Sequence, residues 1–368
     1  MYNEKEYNKW NKKYKKFQKA NKQSITKMVL DFNRKKSANI AKRIKKKDTG
    51  VIDERLLHTY RWNDRIFKTK KIVPEGKNHG LIMLVDCSGS MQEFGKFESA
   101  IKQALILVDF CRKVGIKYKV VGFGNGNYRS ERDNIKYKND SSKRHLEIKY
   151  IPLLREWFSH EQTIKQHDFM ATYMMFKTKK HRAGFVSDGP NSGTPLIDSI
   201  FLLRQVALKF KEEEKIDILN TITLTDGMSN NATFLDWDRG LVTKLSSYDP
   251  LTKSVYRTSD TDDLKNILKF YKKVVGGNII GFDITNSNHG YYSYSLSNSG
   301  IEVREDWQGY DHHYTFSFKS IYDDVKKVSR QDKEIPKSLE ELSSNFNKKG
   351  VSRNNEKILL SKFIDIIS

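Results

Sequence analysis

The chain has 368 residues, 37% of them hydrophobic and 30% charged, a composition that suits one large folded domain or a domain with an extension. No apolar run approaches the roughly 20 residues that span a bilayer, and no signal peptide opens the chain, so we expect no membrane segment. Two cysteines, Cys87 and Cys111, do not form a disulfide framework, which favours an intracellular protein.

The positive charge is concentrated near the N-terminus. The formal net charge is +22, and residues 1–80 hold 24 basic and eight acidic residues. Residues 1–47 are dense in lysine and asparagine. A block of this kind attracts polyanions without reading a sequence, because each neutralised phosphate releases counterions. We therefore expect residues 1–47 to bind nucleic acid or another polyanion nonspecifically.

The same N-terminal segment has helical periodicity. Tyr7, Trp10, Tyr14 and Phe17 are spaced by three, four and three residues, which places them on one face of a helix. A second apolar set follows after a polar gap: Ile25, Met28, Val29 and Phe32. The pattern predicts a basic α-helical extension over residues 1–77. Its aromatic stripe is either a packing face or a platform on which nucleobases stack.

The next clear element is a buried strand that ends in a turn full of oxygen atoms. Leu81 to Val85 are five consecutive apolar residues, and Asp86, Ser88 and Ser90 follow at alternate positions. A carboxylate and two hydroxyls suit Mg²⁺ or Mn²⁺ better than Zn²⁺. The alternative is an ordinary turn in which Asp86 caps the next helix.

Later segments repeat the alternation of strand and helix. A helix opens after Gly193-Thr194-Pro195, and residues 221–227 read T-I-T-L-T-D-G, a second buried strand ending at Asp226. This alternation predicts an α/β fold with a doubly wound, mostly parallel sheet flanked by helices. In such sheets, ligands bind outside the carboxyl ends of the strands. Thr194, at the start of its helix, is expected to lie near the two acidic loops.

Two further stretches carry weaker predictions. Residues 157–175 have helical character, with Phe169, Tyr173 and Phe176 on one side. His312-His313 could bind a metal, but adjacent imidazoles on a strand point to opposite faces.

Asp-x-Ser-x-Ser, a threonine before a helix and Thr-Asp-Gly after a strand together form the pattern of a metal-ion-dependent adhesion site. Residues 78–368 therefore resemble a von Willebrand factor type A domain, which is Rossmann-like, with insertions near 125–184 and 285–315. The resemblance implies that Ser88 and Ser90 bind Mg²⁺ or Mn²⁺ directly and Thr194 binds it directly or through water. It also implies that Asp86 and Asp226 hold metal-bound waters, and that a partner's acidic side chain completes the shell.

A shorter motif narrows the resemblance. Residues 50–56, G-V-I-D-E-R-L, are similar to the cobaltochelatase T-subunit branch of these domains, which includes versions from large bacteriophages. Members of that branch work beside a MoxR-like AAA+ ATPase. This implies an interaction subunit of an ATP-dependent chelatase-like complex. The expected location is the cytoplasm; for a phage protein it would be the host cytoplasm or the virion.

Two other functions remain open. One is a freestanding structural or adhesive module, such as a phage particle component, whose basic arm binds polyanions. The other is a metal-dependent hydrolase using Asp86 and Asp226, although nucleases generally place more carboxylates around their ions. The sequence shows no nucleophile paired with a base, so we expect the chain not to be an enzyme by itself.

Overall fold

The computed structural model describes residues 4–43, 45–63, 66–72, 78–125, 146–148, 152–178, 193–226, 234–236, 240–242, 246–249, 253–257, 263–285, 301–305, 309–317 and 363–364. The helices are α1 (Glu4–Arg43), α2 (Lys96–Val114), α3 (Ile164–Lys177), α4 (Leu196–Glu213) and α5 (Asp263–Val275). Short 3₁₀ helices cover Leu57–Thr59 and Gly89–Gly95. The strands are β1 (Lys45–Ile52), β2 (Phe67–Ile72), β3 (His79–Asp86), β4 (Lys117–Asn125), β5 (Leu146–Ile148), β6 (Pro152–Ser159), β7 (Ile218–Thr225), β8 (Phe234–Asp236), β9 (Gly240–Val242), β10 (Ser246–Asp249), β11 (Ser254–Arg257), β12 (Ile279–Thr285), β13 (Ile301–Glu305) and β14 (His312–Ser317).

A seven-stranded mixed sheet forms the centre of the molecule, in the order β13-β14-β12-β7-β3-β4-β6. The five inner strands run parallel, whereas β13 and β6 pair antiparallel at the two edges. Three small antiparallel sheets accompany it: β1-β2, β10-β11 and β5-β8-β9. This arrangement confirms the predicted α/β class: a mixed sheet flanked by helices, together with an N-terminal helix.

Helices cover both faces of the sheet because its central strands are apolar on both sides. In β3, Leu81, Met83 and Val85 belong to one hydrophobic core, which includes the buried face of α2. Ile82 and Leu84, which point the other way, belong to a second core with α4 and α5. Continuous burial of β3 follows from the strand period of two, since each face of the strand meets a separate helical layer.

The N-terminal helix α1 packs on α2 and α3 rather than standing apart from the sheet. Trp10, Tyr14, Ile25 and Phe32 are buried in the same core as α2. The Phe32 ring meets Phe110 of α2 edge to face, with 5.7 Å between ring centroids. The aromatic stripe is therefore a packing face. The helix of the predicted extension thus shares a core with residues 78–368. The predicted domain boundary at residue 77 stays a prediction.

The structure corrects the prediction of a helix over residues 157–175. Residues 157–159 belong to β6, and α3 begins only at Ile164. The pairing of β6 with β4 shifts between Val120 and Val121, which adds an extra residue at Trp157. Thr163 and Gln166 form a capping box that fixes the start of α3.

Both predicted insertions contribute to the central sheet where the structure describes them. The stretch 125–184 supplies β6 and α3, and the stretch 285–315 supplies β13 and the start of β14. The remainder of each, including residues 126–145, 179–184 and 286–300, lies outside the described residues. Within the described parts of the chain, no helix has the length and apolar character that a bilayer crossing requires.

Candidate metal centre

The two acidic loops predicted from the sequence lie side by side in the structure. Strands β3 and β7 are parallel neighbours, with Val85 opposite Leu224. Asp86 is therefore level with Thr225, and Asp226 follows directly at the same edge of the sheet. The parallel arrangement brings together two loops that are 140 residues apart along the chain.

The loop after β3 is fixed by main-chain hydrogen bonds and by two buried side chains. The Cys87 N–H donates to the Phe123 carbonyl at 2.9 Å, and the Ser88 N–H donates to Asp86 Oδ1 at 2.7 Å. The Cys87 and Met91 side chains are buried in the core. These two side chains anchor the loop in the hydrophobic core, and Ser90 lies exposed at the tip of the loop.

Side-chain hydrogen bonds join four of the five predicted residues into one cluster. Ser88 Oγ lies 3.0 Å from Ser90 Oγ, and the Ser90 hydroxyl donates to Asp226 Oδ1 at 2.8 Å. The Thr225 hydroxyl donates to Asp86 Oδ2 at 2.8 Å, which ties the two strand ends together. Asp86, Ser88, Ser90 and Asp226 thus form a continuous set of oxygen atoms.

The electrostatics of this cluster favour a cation. Burial and, to a smaller extent, the negative charge of Asp226 raise the pKa of Asp86, and hydrogen bonds from Ser88 and Thr225 oppose them; together these effects put it at about 7. A buried carboxylate with a second one nearby is stabilised by positive charge. All donors are carboxylate or hydroxyl oxygens, since Cys87 Sγ points back to the Val85 carbonyl at 3.7 Å. This donor set fits Mg²⁺ or Mn²⁺.

Thr194 lies just before α4, as the sequence predicts, and is buried, but it is not part of the hydrogen-bonded cluster. Gly193, at φ 63°, turns the chain into the helix, and the Thr194 carbonyl accepts from the Leu196 N–H at 2.8 Å. Among the hydrogen bonds of the described residues, none joins Thr194 to the other four predicted ligands. That it binds metal, directly or through water, stays a prediction.

Sequence reasoning missed two participants. Thr225 lies within the T-I-T-L-T-D-G stretch, and its hydroxyl next to Asp226 was the signal that could have indicated a hydrogen-bond partner for the neighbouring loop. Lys96 had no such signal. It is the first residue of α2, it is buried, and its ammonium group contacts the Asp226 carboxylate and the Ser90 carbonyl. Only the folded chain places this cation inside the cluster.

One other group of possible metal ligands occurs among the described residues, at the amino ends of the parallel strands: His160, Glu161 and Glu214. His160 Nε2 lies 3.2 Å from Glu214 Oε1, and Lys117 Nζ lies 3.1 Å from Glu214 Oε2. The Lys117 hydrogen bond lowers the pKa of Glu214. Because lysine already balances this carboxylate, the group is an ion-pair cluster.

The His312-His313 pair does not form a joint site in the structure. The two residues are consecutive in β14, where His312 pairs with Ile280 and His313 with Gly281. His313 is buried, with Nε2 3.1 Å from Asp283 Oδ2. Their alternate orientation follows from the strand period, as expected from the sequence.

Comparison with known proteins adds little to this description. No family model matches the chain, and no curated protein matches it in sequence. Solved structures that match part of the chain include the following three. The pilus adhesin SpaC from Lactobacillus rhamnosus GG is 15% identical, with 59% of this chain and 26% of that chain covered and a TM-score of 0.33. The human COPII-coat protein Sec24c is 9% identical, with 58% and 27% covered and a TM-score of 0.31. Proximal thread matrix protein 1 from the mussel byssus is 16% identical, with 56% and 37% covered and a TM-score of 0.29. The chain thus spans well under half the length of these proteins, and TM-scores this low support no statement about family or function.

Proposed function

We propose that this protein is a metal-dependent interaction subunit with a doubly wound, von Willebrand factor type A-like domain. One observation carries the proposal: Asp86, Ser88, Ser90 and Asp226 meet at the carboxyl ends of two neighbouring parallel strands. The chain leaves β3 towards β4 on one side, whereas β7 lies on the other side. A crevice between loops that diverge in this way is where α/β sheets bind ligands.

In this proposal Ser88 and Ser90 bind Mg²⁺ or Mn²⁺ through their hydroxyls, and Thr194 contributes from the start of α4. Asp86 and Asp226 hold the remaining shell through water. The bound ion would accept an acidic side chain from a partner protein, because neutral hydroxyls leave much of its charge uncompensated. The exposure of Ser90 at the loop tip supports access for such a side chain.

The proposed partner is a MoxR-like AAA+ ATPase, as in cobaltochelatase-like complexes. Residues 53–57 form a compact turn, in which the Arg55 N–H donates to Asp53 Oδ1 at 3.1 Å and the Leu56 N–H donates to the Asp53 carbonyl at 2.8 Å. Leu57 and Trp62 are exposed nearby, and Trp62 is 75% exposed. Exposed large apolar side chains within one short segment are typical of contact surfaces between proteins.

Metal binding is tested directly on the purified chain. Isothermal titration with Mg²⁺ and Mn²⁺ is expected to show one site, and either ion is expected to raise the melting temperature through preferential binding to the folded state. The double variant Ser88→Ala/Ser90→Ala should lose both effects. Thr26→Ala, which removes an exposed hydroxyl from α1, is the matched control and should retain them. A wild-type chain that binds neither ion at millimolar concentration contradicts the proposal.

The partner is tested by co-purification with a candidate AAA+ ATPase. If a carboxylate on the ATPase completes the ion's shell, EDTA and the Ser88→Ala/Ser90→Ala variant should each release the complex. Re-addition of Mg²⁺ should restore it for the wild type alone. A complex that is equally stable in all samples means that the ion does not mediate assembly.

A second candidate function is a structural or adhesive module that binds polyanions, and the surface of α1 favours it. The helix turns its aromatic stripe inward and leaves a series of basic side chains exposed: Lys5, Lys9, Lys12, Lys13, Lys15, Lys16, Lys19, Lys22, Lys27, Arg34, Lys35 and Lys36. A 40-residue helix is roughly 60 Å long, so these charges form an extended cationic surface. Such a surface binds by charge, with little preference for sequence.

Polyanion binding is measured by fluorescence anisotropy with labelled duplex DNA at several salt concentrations. The double variant Lys12→Gln/Lys16→Gln should bind more weakly and with a shallower salt dependence than the wild type. Lys265→Gln/Lys269→Gln removes the same charge from the exposed side of α5 and should change binding much less. Equal losses in the two variants would show that net charge, not the α1 surface, controls binding.

A further inference from the structure

Lys96 stands in an unusual place for a lysine. It is the first residue of α2, and its side chain is only 7% exposed. Lysine is rarely buried unless paired, and a cation at a helix N-terminus opposes the helix dipole. Gly95 precedes it with φ 79°, a left-handed conformation that L side chains rarely adopt. The chain therefore enters α2 through a turn that puts a cation where general helix preferences disfavour one.

The contacts of Lys96 show which groups hold it there. Its ammonium group forms an ion pair with Asp226 Oδ2 and donates to the Ser90 carbonyl at 3.1 Å. The other oxygen of Asp226, Oδ1, accepts from the Ser90 hydroxyl. Both oxygens of Asp226 are therefore engaged within the protein, one of them by a full positive charge. The Asp226 side chain is completely buried, so water screens this charge poorly.

A divalent ion in this cluster needs the same carboxylate. Asp226 can turn an oxygen towards the ion's shell only by sharing or losing a bond that it now makes to Lys96 or Ser90. The positive charges of the lysine and the ion also repel each other at such short range. We infer that Lys96 is an internal cation that competes with the divalent metal for Asp226 and thereby sets the affinity of the site. This inference rests on the proposed metal binding.

Removing the charge of Lys96 tests the competition. By isothermal titration, Lys96→Met and Lys96→Gln are expected to bind Mg²⁺ at least about tenfold more tightly than the wild type, since a nearby positive charge is gone. Lys96→Arg keeps the charge and should bind no more tightly than the wild type. Lys102→Met removes a lysine from the same helix, where it pairs with Glu98 at 3.1 Å, and should leave the affinity within a few-fold.

Thermal unfolding gives a second readout that separates competition from a purely structural role. In EDTA, Lys96→Met should melt below the wild type, because Asp226 loses its buried partner. In Mg²⁺ the ion can balance Asp226, so the difference should close or reverse. A structural lysine would instead produce the same loss of stability under both conditions.

The outcomes distinguish this inference from the proposed function. Equal Mg²⁺ affinities for the wild type and both charge-removing variants would overturn the competition and leave the metal-dependent function intact. Binding by the variants alone would support the competition and overturn metal binding by the natural chain. No binding by any of the proteins would overturn both.

Discussion

His167 and Asp109 are expected to influence stability in opposite directions over the same pH range. His167 on α3 is 3% exposed, and burial, followed by the charge of Arg112, lowers its pKa to about 4. Asp109 on α2 is largely buried, which raises its pKa to about 6. His167 Nε2 and Asp109 Oδ1 are 3.8 Å apart, too far for a hydrogen bond. Between pH 4 and 6 both groups are therefore neutral in the folded protein.

The sign of each contribution follows from the proton that the unfolded chain binds. Unfolded His167, with a pKa of 6.5, takes up a proton that the folded residue refuses until about pH 4, so acidification from 6.5 to 4 destabilises the fold. Unfolded Asp109, with a pKa of 3.8, ionises before the folded residue does, so raising the pH from 3.8 to 6 destabilises the fold. Each contribution is about 3 kcal/mol, and between pH 4 and 6 they nearly cancel.

Single substitutions remove this cancellation. In Asp109→Asn the histidine contribution remains, so the free energy of unfolding relative to the wild type should rise with pH by about 3 kcal/mol between pH 4 and 6. In His167→Gln the aspartate contribution remains, and the same difference should fall with pH by a similar amount. Urea denaturation at intervals of about half a pH unit measures both differences. Because each variant is compared with the wild type at the same pH, the titration of other groups cancels.

The charged and titratable groups around this pair come from all three helices: Tyr14, Lys15, Arg112, Lys113 and Asp168. The Tyr14 hydroxyl lies 3.3 Å from His167 Nε2, and Lys15 forms an ion pair with Asp168. If His167 and Asp109 instead form a charged pair, the pKa of His167 followed by NMR would lie above 6.5. Asp109→Asn would then lower that pKa, and the reasoning from burial would be refuted.

Other predictions concern packing. Phe32→Ala should lower the free energy of unfolding by about 3–5 kcal/mol in denaturant titrations, because the side chain is 4% exposed. Leu30→Ala, two residues away at 53% exposure, should change it by less than about 0.5 kcal/mol. Equal small effects would mean that α1 does not share the core. Gly122→Ala should destabilise the protein by about 1–3 kcal/mol or more in the same assay, since the new Cβ would lie 2.1 Å from Trp157 Cζ2. An unchanged free energy of unfolding would contradict this packing of Trp157 on β4.

Local chemistry made much of the central sheet predictable from the sequence. Five apolar residues followed by Asp86 predicted a buried strand and its end, because burial on both faces removes the polar alternation of a strand. The Asp-x-Ser-x-Ser spacing predicted a loop of oxygen donors. The spacing of the apolar residues in α1 predicted one helical face, which includes the buried Trp10, Tyr14, Ile25 and Phe32, but it left open whether that face packs or stacks nucleobases. The wrong prediction was also local. Trp157 has helical neighbours in sequence but is the extra residue where β6 pairs with β4, and Gly122 of β4 leaves room for its ring.

Only the tertiary structure decided which distant groups meet. The parallel pairing of β3 with β7 places Asp226 beside Ser90, and the turn at Gly95 brings the Lys96 ammonium to that carboxylate. Periodicity shows which face of an element is apolar, but not which element covers that face. That choice depends on strand order and on contacts over more than a hundred residues of separation, which no local pattern encodes. The sequence therefore determined the oxygen donors of the candidate site, and the fold determined the cation that lies among them.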